Sequence, residues 1–147
     1  MKLFYLLVAL AAGMLAPIQA GLNLKMARAL EDPLFAALIS FFVGTLGLGA
    51  ICLARGVDFS KITQGFSQPW PVWCAGLLGI FYVSATLILT PRLGAALTLS
   101  LVVAGQLLAA LALDHFGLFG IPVQNISWIR VLGVVLITAG VVLIRRF

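Results

Sequence analysis

Apolar residues in this chain come in long runs rather than at short intervals. Residues 3–22, 33–54, 72–89, 93–113 and 129–144 are each almost free of charge, and a helix needs about 20 such residues to cross a bilayer. The pattern predicts five membrane helices and no alternating strands. The gaps between runs carry the matching punctuation. Glu31-Asp32-Pro33 predicts a helix start, because proline lacks only an N–H that is unpaired there and the helix dipole favours acids. A polar, partly helical stretch from Asn23 to Asp32 precedes it. Between the second and third runs, Phe59, Ile62 and Phe66 recur at roughly helical spacing among Asp58, Lys61 and Gln64, ahead of Trp70 and Trp73. That arrangement predicts an interfacial stretch closed by an aromatic belt. Thr90-Pro91-Arg92 predicts a tight turn making the third and fourth segments antiparallel neighbours, and His115 to Ser127 predicts a connection lying on the membrane surface.

Composition turns that pattern into an exclusion. The 147 residues are 63% hydrophobic and 9% charged, with a mean hydropathy of +1.22; soluble domains are about half apolar and about a quarter charged. A water-soluble fold is excluded, and five spans leave no room for a separate soluble domain. The net charge of +5 does not indicate nucleic acid, because the lysines and arginines sit at the ends of apolar runs, where they anchor in headgroups. Cys52 and Cys74 lack a CxxC spacing or a histidine neighbour and are expected as free thiols. Lys2, the run Leu3 to Ala16 and Ile18-Gln19-Ala20 imitate a cleavable signal peptide, but further membrane segments follow where a secreted domain would be expected.

Charge also bears on topology, since Lys and Arg in short loops orient a membrane protein. With five spans one side carries Lys2, Arg55, Lys61 and Arg130 and the other Lys25, Arg28, Arg92, Arg145 and Arg146. Four against five is no bias. A chain without bias is suited to inserting both ways, and two oppositely inserted copies supply the inverted symmetry on which many transporters are built. Small residues recur every fourth position at Ala9, Gly13, Pro17 and Gly21, at Ala36, Ser40 and Gly44, and at Ala96, Ser100 and Ala104, a spacing that permits close helix packing.

Candidate chemistry rests on the polar residues inside the runs. Gln106, beside Gly105, lies nearest the middle of a span, and its amide either contacts a substrate or joins two helices. Gln19 and Asn23 are four apart and share a helix face, just past Pro17, which should kink the helix. They line a cavity or form a polar helix end. Asp114 and His115 close the fourth segment, and Thr45, Ser84 and Thr98 are expected to bond to their own helix. No metal-ligand set, phosphate loop, nucleophile elbow or carboxylate pair is present, so no catalytic residue, metal or cofactor is expected and the chain is not read as an enzyme. A potassium-channel filter is missing as well.

Several short motifs then occur in order. Pro17-Ile18-Gln19-Ala20 with Asn23, Ser40 to Thr45, Pro91 to Ala96, Ala104 to Leu107, Asp114 to Gly117 and Arg130 to Gly133 resemble the bacterial YdcZ-type family of the drug/metabolite transporter superfamily. The resemblance covers essentially the whole chain. It implies an all-α, five-helix half-transporter of the bacterial inner membrane, one half of a five-plus-five inverted-repeat assembly, paired with itself or a related chain. The four-helix small multidrug exporters of that superfamily carry a glutamate in their first helix. Residues 3–22 contain no acid, so their proton-exchange mechanism does not transfer. The expectation is a transporter exporting a small metabolite or amphiphile by alternating access. Gln106, Gly105, Gln19, Asn23 and Pro17 would lie on its path, with Arg92 and Asp114 at the cavity mouths and an intersubunit relation between these last two. The alternative is a non-transporting membrane subunit of a larger complex.

Overall fold

A computed structural model of the chain describes the backbone of residues 1–146 and the side chains of residues 1–143. The Arg145 and Arg146 side chains, counted in the charge comparison, and Phe147 lie outside the described residues. All regular structure among the described residues is helical: α1 (Lys2–Leu30), α2 (Pro33–Ala54), the single turn α3 (Ile62–Gly65), α4 (Ala75–Leu93), α5 (Ala95–Phe116) and α6 (Trp128–Arg146). Four stretches, α1, α2, Trp70–Leu93 and α5, are long and apolar enough to cross a membrane. The apolar part of α6, Trp128–Leu143, is shorter. The chain is an all-helical integral membrane protein.

The largest departures from the boundaries that the sequence predicts are two. α1 continues to Leu30, eight residues past the expected end at residue 22, because Leu24, Met26, Ala27, Ala29 and Leu30 are strong helix formers and no glycine or proline interrupts them. It stops where Glu31 turns left-handed (φ 56°, ψ 18°) and donates its N–H to the Ala27 carbonyl. Asp32 is extended and caps α2, its Oδ1 accepting from the N–H groups of Leu34 at 2.7 Å and Phe35 at 3.0 Å, with Pro33 at the first helical position as expected. The second difference is at Thr90-Pro91-Arg92, which is helical. The break falls at Gly94 (φ 82°, ψ 155°), the residue there without a Cβ to oppose that backbone.

The chain divides into two compact units after Ile88. In the first, α1 and α2 form a hairpin, and α4 approaches α2 closely enough that a Cβ on Gly79 would sit 3.6 Å from the Phe41 ring. Here the 3-10 turn Phe59–Lys61 and α3 lead to Trp73, which stacks on Phe66 with centroids 5.5 Å apart. In the second, α5 packs on α6.

Few side chains are buried, and most of those are small. Ala27, Ala36, Ala37, Ala104, Thr86 and Thr98 are enclosed, while most leucines, isoleucines and phenylalanines of the helices face outward. Lipid supplies no hydrophobic drive between helices, so close approach of small residues takes over that role. Ala36 and Ala104 realise part of the small-residue stripes. Ala9, Gly13 and Gly21 do not, since they are exposed and the space beside both glycines is open. The Thr45 and Thr98 hydroxyls bond to the carbonyls four residues back, at 2.8 Å each. Ser84 departs from that expectation: its hydroxyl is buried and has no partner among the described residues.

Candidate functional site

In the first unit, an open cleft of about 460 Å³ lies along α1, with one residue of α2 at its edge. Its walls are Ala12, Leu15, Ala16, Ile18 and Leu22, and its polar groups are Gln19, Asn23 and Ser40. Gln19 and Asn23 reach the same opening because four residues advance a helix by little more than one turn. The extended α1 places them inside a helix and not at its end. Pro17, one turn before Gly21 on α1, is exposed; with no N–H it leaves the Gly13 carbonyl without its usual donor. Ser40, which the sequence marks as a small residue and as the start of a family motif but not as a site residue, lies on the other helix and completes the polar lining.

A second groove, of about 520 Å³, runs between α2 and α4, with Leu34, Ala37, Leu38, Phe41, Trp73, Ile80 and Ser84 among its lining residues. Its lining side chains are apolar apart from the Trp73 indole N–H and the partnerless Ser84 hydroxyl.

In the second unit Gln106 is exposed on α5. Ala104, on the buried side, precedes it by two residues, or about 200° around the helix, so the amide points away from the packed face. Gly105 beside it is open. Arg92 is exposed in the last turn of α4.

Asp114 has a partner the sequence reading did not assign to it. Its Oδ2 receives Nη2 of Arg130 in an ion pair within the same chain, so its carboxylate is already engaged without Arg92. The sequence marks Arg130 as a headgroup anchor and as the start of a family motif, and not as a partner of Asp114. Its Nη1 also donates to the Gln124 carbonyl at 3.0 Å, and the Gln124 N–H donates to the Asp114 carbonyl at 2.8 Å. The connection is thus tied to both helix ends. His115 contributes Nδ1, which accepts the Ile126 N–H at 3.4 Å, and Gly117 ends α5 in the left-handed region at φ 60°. A narrower cleft of about 250 Å³ opens beside the pair, with walls of Leu107, Ala110, Leu111, Gly133, Val134 and Ile137. A sequence signal for this pair existed, since Asp114 and Arg130 flank one connection with opposite charges at the ends of two apolar runs.

An all-helical chain with four bilayer-length apolar helices, and with polar groups gathered in clefts between them, is a multi-pass membrane protein. Residues 4–143 match the DMT_YdcZ family, described as "Putative inner membrane exporter, YdcZ", and the chain belongs to this family. Among curated proteins it is similar to "Inner membrane protein YdcZ" of Escherichia coli (strain K12), at 30% identity over 139 residues, which cover 93% of this chain and 91% of that one. No solved structure matches the chain. The family places the protein in the bacterial inner membrane and among transport proteins.

Proposed function

We propose that the protein is a secondary transporter that exports a small metabolite or amphiphile by alternating access, as an inverted pair with itself or a related chain. The observation that carries this reading is the cleft along α1, where Gln19, Asn23 and Ser40 are the polar groups in an otherwise apolar wall. Ligand sites have that composition, a mostly apolar surface with a few placed hydrogen-bonding groups. Amides and a hydroxyl suit neutral or weakly polar solutes better than bare cations. The family description supports export over catalysis.

In this reading α6 is the fifth span. Its apolar length of 16 residues, Trp128–Leu143, covers roughly 24 Å, and Arg130 near its start can extend toward headgroups. Inverted pairing is supported by the four-to-five charge tie and by the outward amide of Gln106, which would lie against a partner and not against lipid. Arg92 and Asp114 stand at the cavity mouths.

The test is flux in proteoliposomes over a library of small metabolites, comparing the parent with Gln19→Leu and Asn23→Leu. Efflux of one chemical class that both variants reduce, with folding retained, is the expected result. Absence of flux for every solute, with stoichiometric co-purification of a different membrane protein, would replace transport by a role as an assembly subunit.

A further inference from the structure

We propose that Asp114, Arg130 and the cleft beside them form a seat for an aminophospholipid, a lipid whose headgroup carries both a primary ammonium and a phosphate diester. Three observations lead there. The first is depth. Asp114 lies two residues before the end of α5 and Arg130 two residues after the start of α6, on either side of one connection, so both charges fall at the border between hydrocarbon and headgroups.

The second is unused bonding capacity. The pair is open to its surroundings, with 31% of the Arg130 side chain and 23% of the Asp114 side chain exposed. Among the described residues Asp114 Oδ1 accepts nothing and Arg130 Nε donates to nothing, while Nη1 and Nη2 are held by Gln124 and Asp114. Arginine binds phosphate in a forked, charge-assisted geometry, and a free carboxylate oxygen accepts from an ammonium. A headgroup bearing both charges closes an alternating ring with the protein's own pair, with neither protein charge left uncompensated. A headgroup with a phosphate alone meets Asp114 as a like charge, and a trimethylated ammonium has no N–H to donate.

The third observation is the wall. Leu107, Ala110 and Leu111 on α5 and Gly133, Val134 and Ile137 on α6 continue from the pair. Each row extends seven residues from its charged member, roughly 10 Å, which is about two thirds of one leaflet of hydrocarbon. An acyl chain hanging from a headgroup on the ion pair therefore lies along apolar side chains, and at Gly133 there is open space where a Cβ would stand.

The experiment uses the purified full chain in detergent. Melting temperature is followed while dioctanoyl phosphatidylethanolamine, phosphatidylcholine or phosphatidylglycerol is added, and native mass spectrometry counts the lipids retained on the folded protein. The expected result is a saturable rise with the ethanolamine lipid and retention over the choline lipid of at least about fivefold, the scale of about 1 kcal/mol. Asp114→Asn and Arg130→Gln should lose that preference. Should either variant fail to fold, Gly133→Leu fills the cleft without touching the charges and should lose it equally. Equal retention of the three lipids by the parent protein, or an unchanged ethanolamine preference in Gly133→Leu, overturns the assignment.

Discussion

Asp114 and Arg130 stand sixteen positions apart and join the end of α5 to the start of α6 through an ion pair that also fastens the intervening connection at Gln124. Coulomb attraction at this partly hydrated site is modest, about 1 kcal/mol or less. The guanidinium bond to a main-chain carbonyl adds about 1.5–3 kcal/mol. Arg130→Ala should therefore destabilise the protein more than Asp114→Ala. A double-mutant cycle by thermal unfolding checks this, and additive losses would show that the pair contributes no coupling.

Gly117 yields a sharper expectation. Its φ of 60° is unfavourable for a side chain, and an added Cβ would come within 2.6 Å of Val123 Cγ2. Gly117→Ala should cost about 1–2 kcal/mol, of which about 1 is backbone conformation. Adding Val123→Ala should restore only the steric part, visible as partial recovery of the melting temperature.

Gln106 distinguishes a solute path from helix association. If the amide only joins copies, Gln106→Leu costs about 1 kcal/mol of association and spares transport. On the proposed path, flux or ligand binding falls by about tenfold or more, some 1.4 kcal/mol, while dimerisation and melting temperature hold. Sizing and flux on the same preparation separate the two.

Topology is open to direct measurement. Reporters fused after Phe147 should be active on both faces of the inner membrane, and two or three lysines added to one loop should draw that loop to the cytoplasm. One fixed orientation, unmoved by added charge and with no partner found, would end the inverted homodimer.

Asp58 links the interfacial stretch to pH. The Ser60 side chain, then the Ser60 N–H, hold its carboxyl below the usual range. A depressed folded pKa means the contact is fully formed above the ordinary aspartate value and is lost as pH falls through the folded one. The protection factor of the Ser60 amide, its exchange rate relative to an unstructured chain at the same pH, should fall on acidification, and Asp58→Ala should show the low factor at every pH.

The long apolar runs and the Asp32 cap were legible because each rests on local chemistry, chain length against bilayer thickness and a proline beside an acid. The end of α1 was not, because polarity at Asn23, Lys25 and Arg28 argues for leaving the membrane but not for leaving the helix. Pro91 misled for the opposite reason: a proline in a last turn is tolerated, and Gly94 makes the break. In the cleft, Gln19 and Asn23 announce themselves by helical spacing, whereas Ser40 needs the packing of α2 on α1 to be seen. The bond between Asp114 and Arg130 depends on how residues 117–127 fold back, which no periodicity encodes.

α1 and α2 share a two-residue turn, yet one has 29 residues and the other 22. At about 1.5 Å each these are rods of roughly 43 and 33 Å, set in a hydrocarbon slab about 30 Å thick. Rods of unequal length pinned at one end cannot both stand upright and flush. α1 must lean, by up to roughly 40°, or carry its surplus beyond the slab, and either response changes with slab thickness. The acyl length of the surrounding lipids thereby becomes a mechanical input to the hairpin that holds Gln19, Asn23 and Ser40.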